Sequence, residues 1–205
     1  MGDALLILNQ MIGLLSAFAG LTSESMTRGP GWVFLDLGRR IERAQCLLRL
    51  LDRLLARVQA NPRPILESIL DICDSSMTYR YRYLMSYEIG PVLDLLVADQ
   101  TNPRGLAFQF MKIVNHLDEL NVRDKTQLSE QRKKMSELRG SLRLFDSEAI
   151  GMTCVPGVQT PLQERSLLRI KLSEYAQALN ELSEFITRRF LTHTQSRQLQ
   201  DMVNQ

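Results

Sequence analysis

Asp36, Arg40 and Arg43 fall at i, i+4 and i+7 of one stretch, which aligns a carboxylate and two guanidiniums along one side of a helix. Leu47, Leu50 and Leu54 continue on the same half. The charges therefore border a surface that must be buried, where an unpaired ion costs several kcal/mol. Arg80 repeats the theme among Tyr79, Tyr81, Tyr83 and Tyr87, whose ring faces and hydroxyls suit a guanidinium. Arg104 follows Asn102-Pro103 and is placed in the first turn of a helix, where a cation opposes the dipole. That placement implies a carboxylate or a ligand anion nearby.

Two readings of this charged set stay open. In one, the ions form a salt-bridge network that fixes helix register. In the other, Arg39, Arg40, Arg43, Tyr79, Arg80, Asn102 and Arg104 face an anion or a partner, with Asp36 and Asp99 as network partners. Arginine's planar fork fits carboxylate and phosphate alike, and the excess of arginine over acid in the set favours a bound anion. Glu42 turns away from the main seam, towards Leu35, Cys46, Arg49 and Arg53. It is the candidate catalytic base, or simply an i,i+3 partner of Arg39.

Other chemistries find little support. His116 and His193 stand without Cys, Asp or Glu at metal-ligand spacing, so no metal site is expected. Cys154 sits in a Gly-Pro loop with no histidine near it, which reads as an ordinary loop thiol. No GxxxxGK[ST] or GxGxxG segment occurs, and no cofactor is implied. The Arg132 to Lys134 run and Arg188-Arg189 read as solvated helix faces, and a net charge of +2 gives no reason to expect nucleic acid or an anionic membrane. Cys46, Cys73 and Cys154 are odd in number and unpaired in spacing, which points to a reducing, cytoplasmic setting.

The elements that must position these residues are helical. Residues 31–58 carry Phe34, Leu37, Ile41, Ala44, Leu48, Leu51, Leu55 and Val58 in unbroken steps of three and four, one continuous seam on a long helix that should end near Ala60. Before it, Asp3 suits the cap of a helix running to about Met26 with Leu5, Leu8, Ile12, Leu15 and Ala19 buried. Polar residues interrupt that stretch and no basic segment precedes it, so it reads as a core helix rather than a leader or a membrane span. A third helix is expected from Pro64, burying Leu66, Ile69, Leu70, Cys73, Met77 and Leu84, with Arg80 on the same line, until Gly90-Pro91 breaks it. Asn102 then suits an N-cap with Pro103 at the first helical position, opening a seam of Leu106, Phe110, Ile113, Leu117 and Leu120. One more helix runs over Leu128, Met135, Leu138, Leu142, Phe145 and Ala149. After the loop at 151–159 and a capping box at Thr160 to Gln163, a last helix runs over Leu168, Leu172, Tyr175, Leu179, Leu182 and Ile186. The sum is an all-α, mostly antiparallel bundle of six or seven helices, two of them long, in a single domain of 205 residues.

Three phrases taken in order, GWVFLDLGRRIERA (31–44), MTYRYRYL (77–84) and DQTNPRGLAFQ (99–109), resemble the bacterial alpha-E family, named for a helical domain with a Glu-Arg motif. The resemblance makes Glu42 and Arg43 the Glu-Arg pair. It also implies that family proteins are usually longer, which makes this chain a truncated or C-terminal portion, a divergent short member, or one half of a pseudo-repeat. It further implies the company of a circularly permuted ATP-grasp protein, and with it a system that forms peptide or amide bonds. In such a system the domain is expected to be an accessory module that binds a partner or an acidic peptide substrate through its arginines. The alternatives are a transferase or ligase acting on a carboxylate, with Glu42 as base, and a structural scaffold or homo-oligomerisation unit.

Overall fold

The structure is a computed structural model that describes residues 2–55, 61–83, 87–123, 128–149 and 162–191. Among the described residues every regular element is helical and none is a strand. The chain divides into two compact units, Met1–Asp36 and Leu37–Gln205.

The first unit contains α1 (Gly2–Ser25) and the opening turns of α2 (Pro30–Leu55). The Arg28 guanidinium donates to the Ser23 carbonyl at 2.5 Å, closing off the end of α1, and lies 4.5 Å over the Trp32 ring. Val33 N–H donates to the Gly29 carbonyl at 3.1 Å, so α2 begins with Pro30 at its first position. The expectation of a buried α1 is overturned. Leu5, Leu8, Ile12 and Leu15 are 62%, 53%, 62% and 63% exposed, and Leu14 on another side is 72% exposed. Three-four spacing identifies which residues share a face, but apolar residues occur around most of this helix and no covering surface follows from spacing. Asp3 lies within the first turn of α1, not before it. Asp3–Ser25 is also long and apolar enough to cross a membrane, because Asn9, Gln10 and Ser16 interrupt the run without adding charge.

In the second unit the seam of α2 is buried as expected, with Leu37, Ile41, Ala44, Leu48 and Leu51 all at 6% exposure or less. Side-chain bonds link α2 to α6 (Leu106–Arg123), through Arg40 and Gln109, and to α8 (Leu162–Ile186). The seam residues of α6 and the α8 residues Leu168, Leu172, Tyr175, Leu179, Leu182 and Ile186 are buried. Phe110 meets Tyr175 edge to face at 5.7 Å, locking α6 to α8. Gln45 bonds Asn180 and Asp52 bonds Arg169, so residue number rises along α2 as it falls along α8 and the pair is antiparallel. The α7 helix (Ser129–Arg143) is antiparallel to α8 by the same criterion, through Lys134–Glu181 and Ser141–Tyr175. Arg132 joins Asp118 of α6, so two members of the basic run reach carboxylates on neighbouring helices while their side chains stay 44% exposed.

The expected third helix is two. α3 (Arg63–Ile72) ends where Ser75 N–H donates to the Leu70 carbonyl and Asp74 N–H to the Asp71 carbonyl, with Asp74 at φ 48°. This is a Schellman cap with aspartate at the left-handed position. Ser75 then starts α4 (Ser76–Tyr83), accepting from Tyr79 N–H at 2.9 Å. The break resets the helical phase. Met77 is therefore 78% exposed and Arg80 is exposed as well, while Tyr79 is fully buried. Gly90-Pro91 lies in the first turns of α5 (Ile89–Leu93), which passes into a π-helical turn, Asp94–Ala98, with Leu95, Leu96 and Val97 buried. The expected helix over 128–149 stops at Arg143; Leu144 is 86% exposed and residues 147–149 open a further turn. The expected end near Ala60, Leu84, the 151–159 loop with Cys154, Thr160-Pro161 and His193 lie outside the described residues.

Candidate functional site

The α2 helix presents Arg43, Cys46, Leu47 and Leu50 on one face, and the end of α3 brings Ile72 and Cys73 against it. Arg104, from the turn before α6, and Gln109, from α6 itself, complete an open groove of about 250 Å³. Its walls are apolar and its rim is cationic.

The turn carrying Arg104 is tightly specified. Asn102 is buried, and its amide donates to the Leu95 carbonyl at 3.1 Å and to Ser75 Oγ at 3.4 Å. Asn102 Oδ1 accepts from Arg104 N–H at 3.0 Å, and the Asn102 carbonyl accepts from Gly105 N–H at 2.9 Å. Asn102 therefore caps the turn and not the helix. Helix α6 starts at Leu106, with the Gly105 carbonyl taking its first bond from Gln109 N–H. The Pro103 carbonyl accepts from Gln109 Nε2 at 2.6 Å, tying turn to helix. Projected from this turn, Arg104 reaches the Asp74 carboxylate at 2.9 Å, with the two side chains 49% and 79% exposed. Pro103 and Arg104 therefore precede α6 instead of forming its first turn, and the carboxylate expected beside Arg104 is that of Asp74.

Arg40 donates to Gln109 Oε1 at 3.4 Å and lies 5.6 Å over the Phe108 ring, which Lys112 also approaches at 5.5 Å. Arg40, Arg43 and Arg104 thus gather around Gln109 and the groove. Asp36 is buried one turn before Arg40 on α2, and Arg39 is half-buried. Tyr79 stacks on Tyr87 at 5.5 Å and accepts from Glu88 N–H at 3.2 Å, deep in the fold. Arg80 donates to the Tyr87 hydroxyl at 3.3 Å.

Sequence reasoning missed Arg82, whose guanidinium bonds both the Asp99 carboxylate and Thr101 Oγ1. Burial pushes the Asp99 carboxyl up, but bonds from the Thr101 amide and hydroxyl and from Arg82 outweigh it and leave it below its ordinary value. The missed signal was Ser75-Ser76 as a second helix start, which moves Arg82 and not Arg80 towards the turn. Burial pushes the Tyr83 hydroxyl up, as does its bond to Asp94, and burial pushes the Cys73 thiol up to about 11 against an opposing pull from Arg104.

Glu42 stands at the solvent side of α2 with its side chain 67% exposed. It accepts from Arg49 at 3.3 Å and from the Cys46 thiol at 3.4 Å, while Arg49 also approaches the Cys46 sulfur at 3.2 Å. Cys46 lines the groove, so Glu42 is one side chain removed from it. Among the described residues no group of three or more His, Cys, Asp or Glu is placed to hold a metal ion.

Three uncharacterised mycobacterial proteins, one from Mycobacterium bovis and two from strains of Mycobacterium tuberculosis, are 30% identical to this chain over 156 residues. The similarity covers 75% of the chain and 17% of each relative, so the chain corresponds to a small part of their length. No solved structure matches it significantly. A family model described as a predicted alpha-helical domain with a conserved ER motif matches residues 3–191, and the chain belongs to that family, Alpha-E.

Proposed function

We propose that this domain is an accessory module of a system that forms peptide or amide bonds, binding a partner protein or an acidic substrate through the arginine-rimmed groove. The observation that carries the reading is the placement of Arg43 and Arg104 on one open, apolar-walled groove beside Arg40. The Arg104–Asp74 ion pair at that rim is solvent-exposed on both sides, and such pairs contribute about 0–1 kcal/mol. Stability alone gives little reason to place the cation there. The circularly permuted ATP-grasp partner follows from the family resemblance, and it names the protein to test. Co-expressed with such a partner, the parent chain should co-elute with it, and Arg43→Met should weaken the association. Unchanged co-elution of the variant would count against the groove as the contact.

A second reading makes the domain a transferase or ligase with Glu42 as base. The contact from Glu42 to Cys46, a groove residue, favours it. Turnover by the isolated chain that Glu42→Gln abolishes would establish this reading, and turnover indifferent to the substitution would remove it.

A further inference from the structure

We infer that the groove takes the free carboxylate terminus of a peptide whose last side chain is aliphatic, an inference that rests on the binding reading above and narrows its ligand. Two features of the site act together. Arg43 from α2 and Arg104 from the 102–105 turn bring guanidiniums to the same groove, and a guanidinium fork matches a carboxylate in plane and spacing. Between them the walls are Leu47, Leu50 and Ile72. A purely polar anion such as phosphate gains nothing from these three side chains, whereas an aliphatic group attached to the anion removes them from water.

Ile72 makes the case sharper. It is 65% exposed at the last position of α3, while Leu66, Ile69 and Leu70 of the same helix are fully buried. The fold leaves an aliphatic side chain in solvent beside an arginine rim. The cavity of about 250 Å³ accommodates a terminal residue and part of its neighbour, not a folded surface. Arg104 already holds a carboxylate, that of Asp74, at 2.9 Å. Asp74 demonstrates the geometry and is displaceable, since it is 79% exposed and its backbone is fixed by the Schellman cap whatever its side chain does. A ligand carboxylate would exchange for it at the rim.

Calorimetric titration of the full chain with acetyl-Gly-Gly-Ala-Leu tests this, with the same peptide carrying a terminal amide as control. The free acid should bind, and the amide should bind about tenfold more weakly or worse, the usual value of a charge-assisted hydrogen bond. Arg43→Met, Arg104→Met and Ile72→Glu should each weaken the free acid by a similar factor. All three side chains are exposed, so circular dichroism and the melting midpoint of each variant should match the parent. Equal binding of acid and amide overturns the inference. So does preference for an amide-capped peptide with internal glutamates, although that result leaves acidic-substrate binding in place. Absence of peptide binding together with partner co-elution that still depends on Arg43 overturns the inference and spares the accessory-module reading. Loss of both removes the two together.

Discussion

The Arg104 guanidinium and the Asp74 carboxylate meet at 2.9 Å although 30 residues separate them, and each is delivered by a turn that the fold holds rigidly. Asp74 sits at φ 48°, where asparagine is as well tolerated as aspartate. Asp74→Asn should therefore change stability by less than about 1 kcal/mol, a midpoint shift below about 4 °C. The same substitution should strengthen binding of a free-acid peptide several-fold by releasing Arg104. Asp74→Val places a β-branched residue in the left-handed region and should cost about 1–3 kcal/mol. Thermal melts of the two variants separate backbone from charge; a large loss in Asp74→Asn would show that the ion pair itself holds the turn.

Asp99 supplies a pH signature. Its carboxyl is held below the ordinary value, near 4 when unfolded, so it stabilises the fold above that pH and ceases to do so as pH falls through the folded value. Asp99→Asn should melt below the parent at pH 7, and the gap should shrink as pH falls below about 4. Arg82→Met should lose a smaller contribution in the same direction, since the bonds from the Thr101 amide and hydroxyl to Asp99 remain. A gap that persists at acid pH would mean the loss is one of packing and not of charge.

The two groove thiols should react at different rates. Cys46 is exposed, whereas Cys73 is half-buried with its thiol pushed up to about 11 by burial. At pH 8 only about one Cys73 in a thousand is thiolate, so iodoacetamide should label Cys46 first. Peptide mapping by mass spectrometry reads this directly. Arg104→Met removes the influence that lowers the Cys73 value and should slow that residue further. Equal labelling at pH 8 would contradict the burial.

Exposure divides apolar residues that look alike in sequence. Leu51 is fully buried and Leu14 is 72% exposed. Leu51→Ala should cost about 2–5 kcal/mol, and Leu14→Ala should stay within about 0.5 kcal/mol. Urea titrations measure both, and a comparable cost at Leu14 would show that α1 is covered in solution.

The contrast between those two leucines marks what was legible. The seams of α2, α6 and α8 were readable because three-four spacing over many turns gathers those residues on one face of a helix. The α1 seam obeys the same spacing, yet spacing carries no information about whether a surface covers it. Arg43 and Arg104 were legible as types out of local balance. Their shared groove was not, because it depends on the Schellman cap at Asp74, and no glycine advertises that cap. The same hidden break shifted the phase of the tyrosine segment, so the sequence suggested Arg80 where the fold uses Arg82. Gln109 was missed because its role is to tie Pro103 to Arg40 across two elements, which no local pattern encodes.

Gly105 tests how far the site depends on its turn. A Cβ built there would stand 3.2 Å from the carbonyl oxygens of Asp99 and Leu95 and 3.3 Å from that of Asn102. All three are backbone atoms, so none can swing aside as a side-chain tip would. Leu95 is fixed by the π-helical turn and Asn102 by its buried amide, and relief must come from moving the turn itself. Gly105→Ala should therefore cost about 1–3 kcal/mol, in the range of other overpacking substitutions. Any shift of the 102–105 segment carries Arg104 with it, so free-acid peptide binding should fall even in the fraction that remains folded. Gly13→Ala has open space around it and is the control, expected to be neutral or stabilising because alanine favours helix. If Gly105→Ala melts and binds like the parent, the three carbonyls yield more easily than their bonds indicate, and the turn is not what positions Arg104.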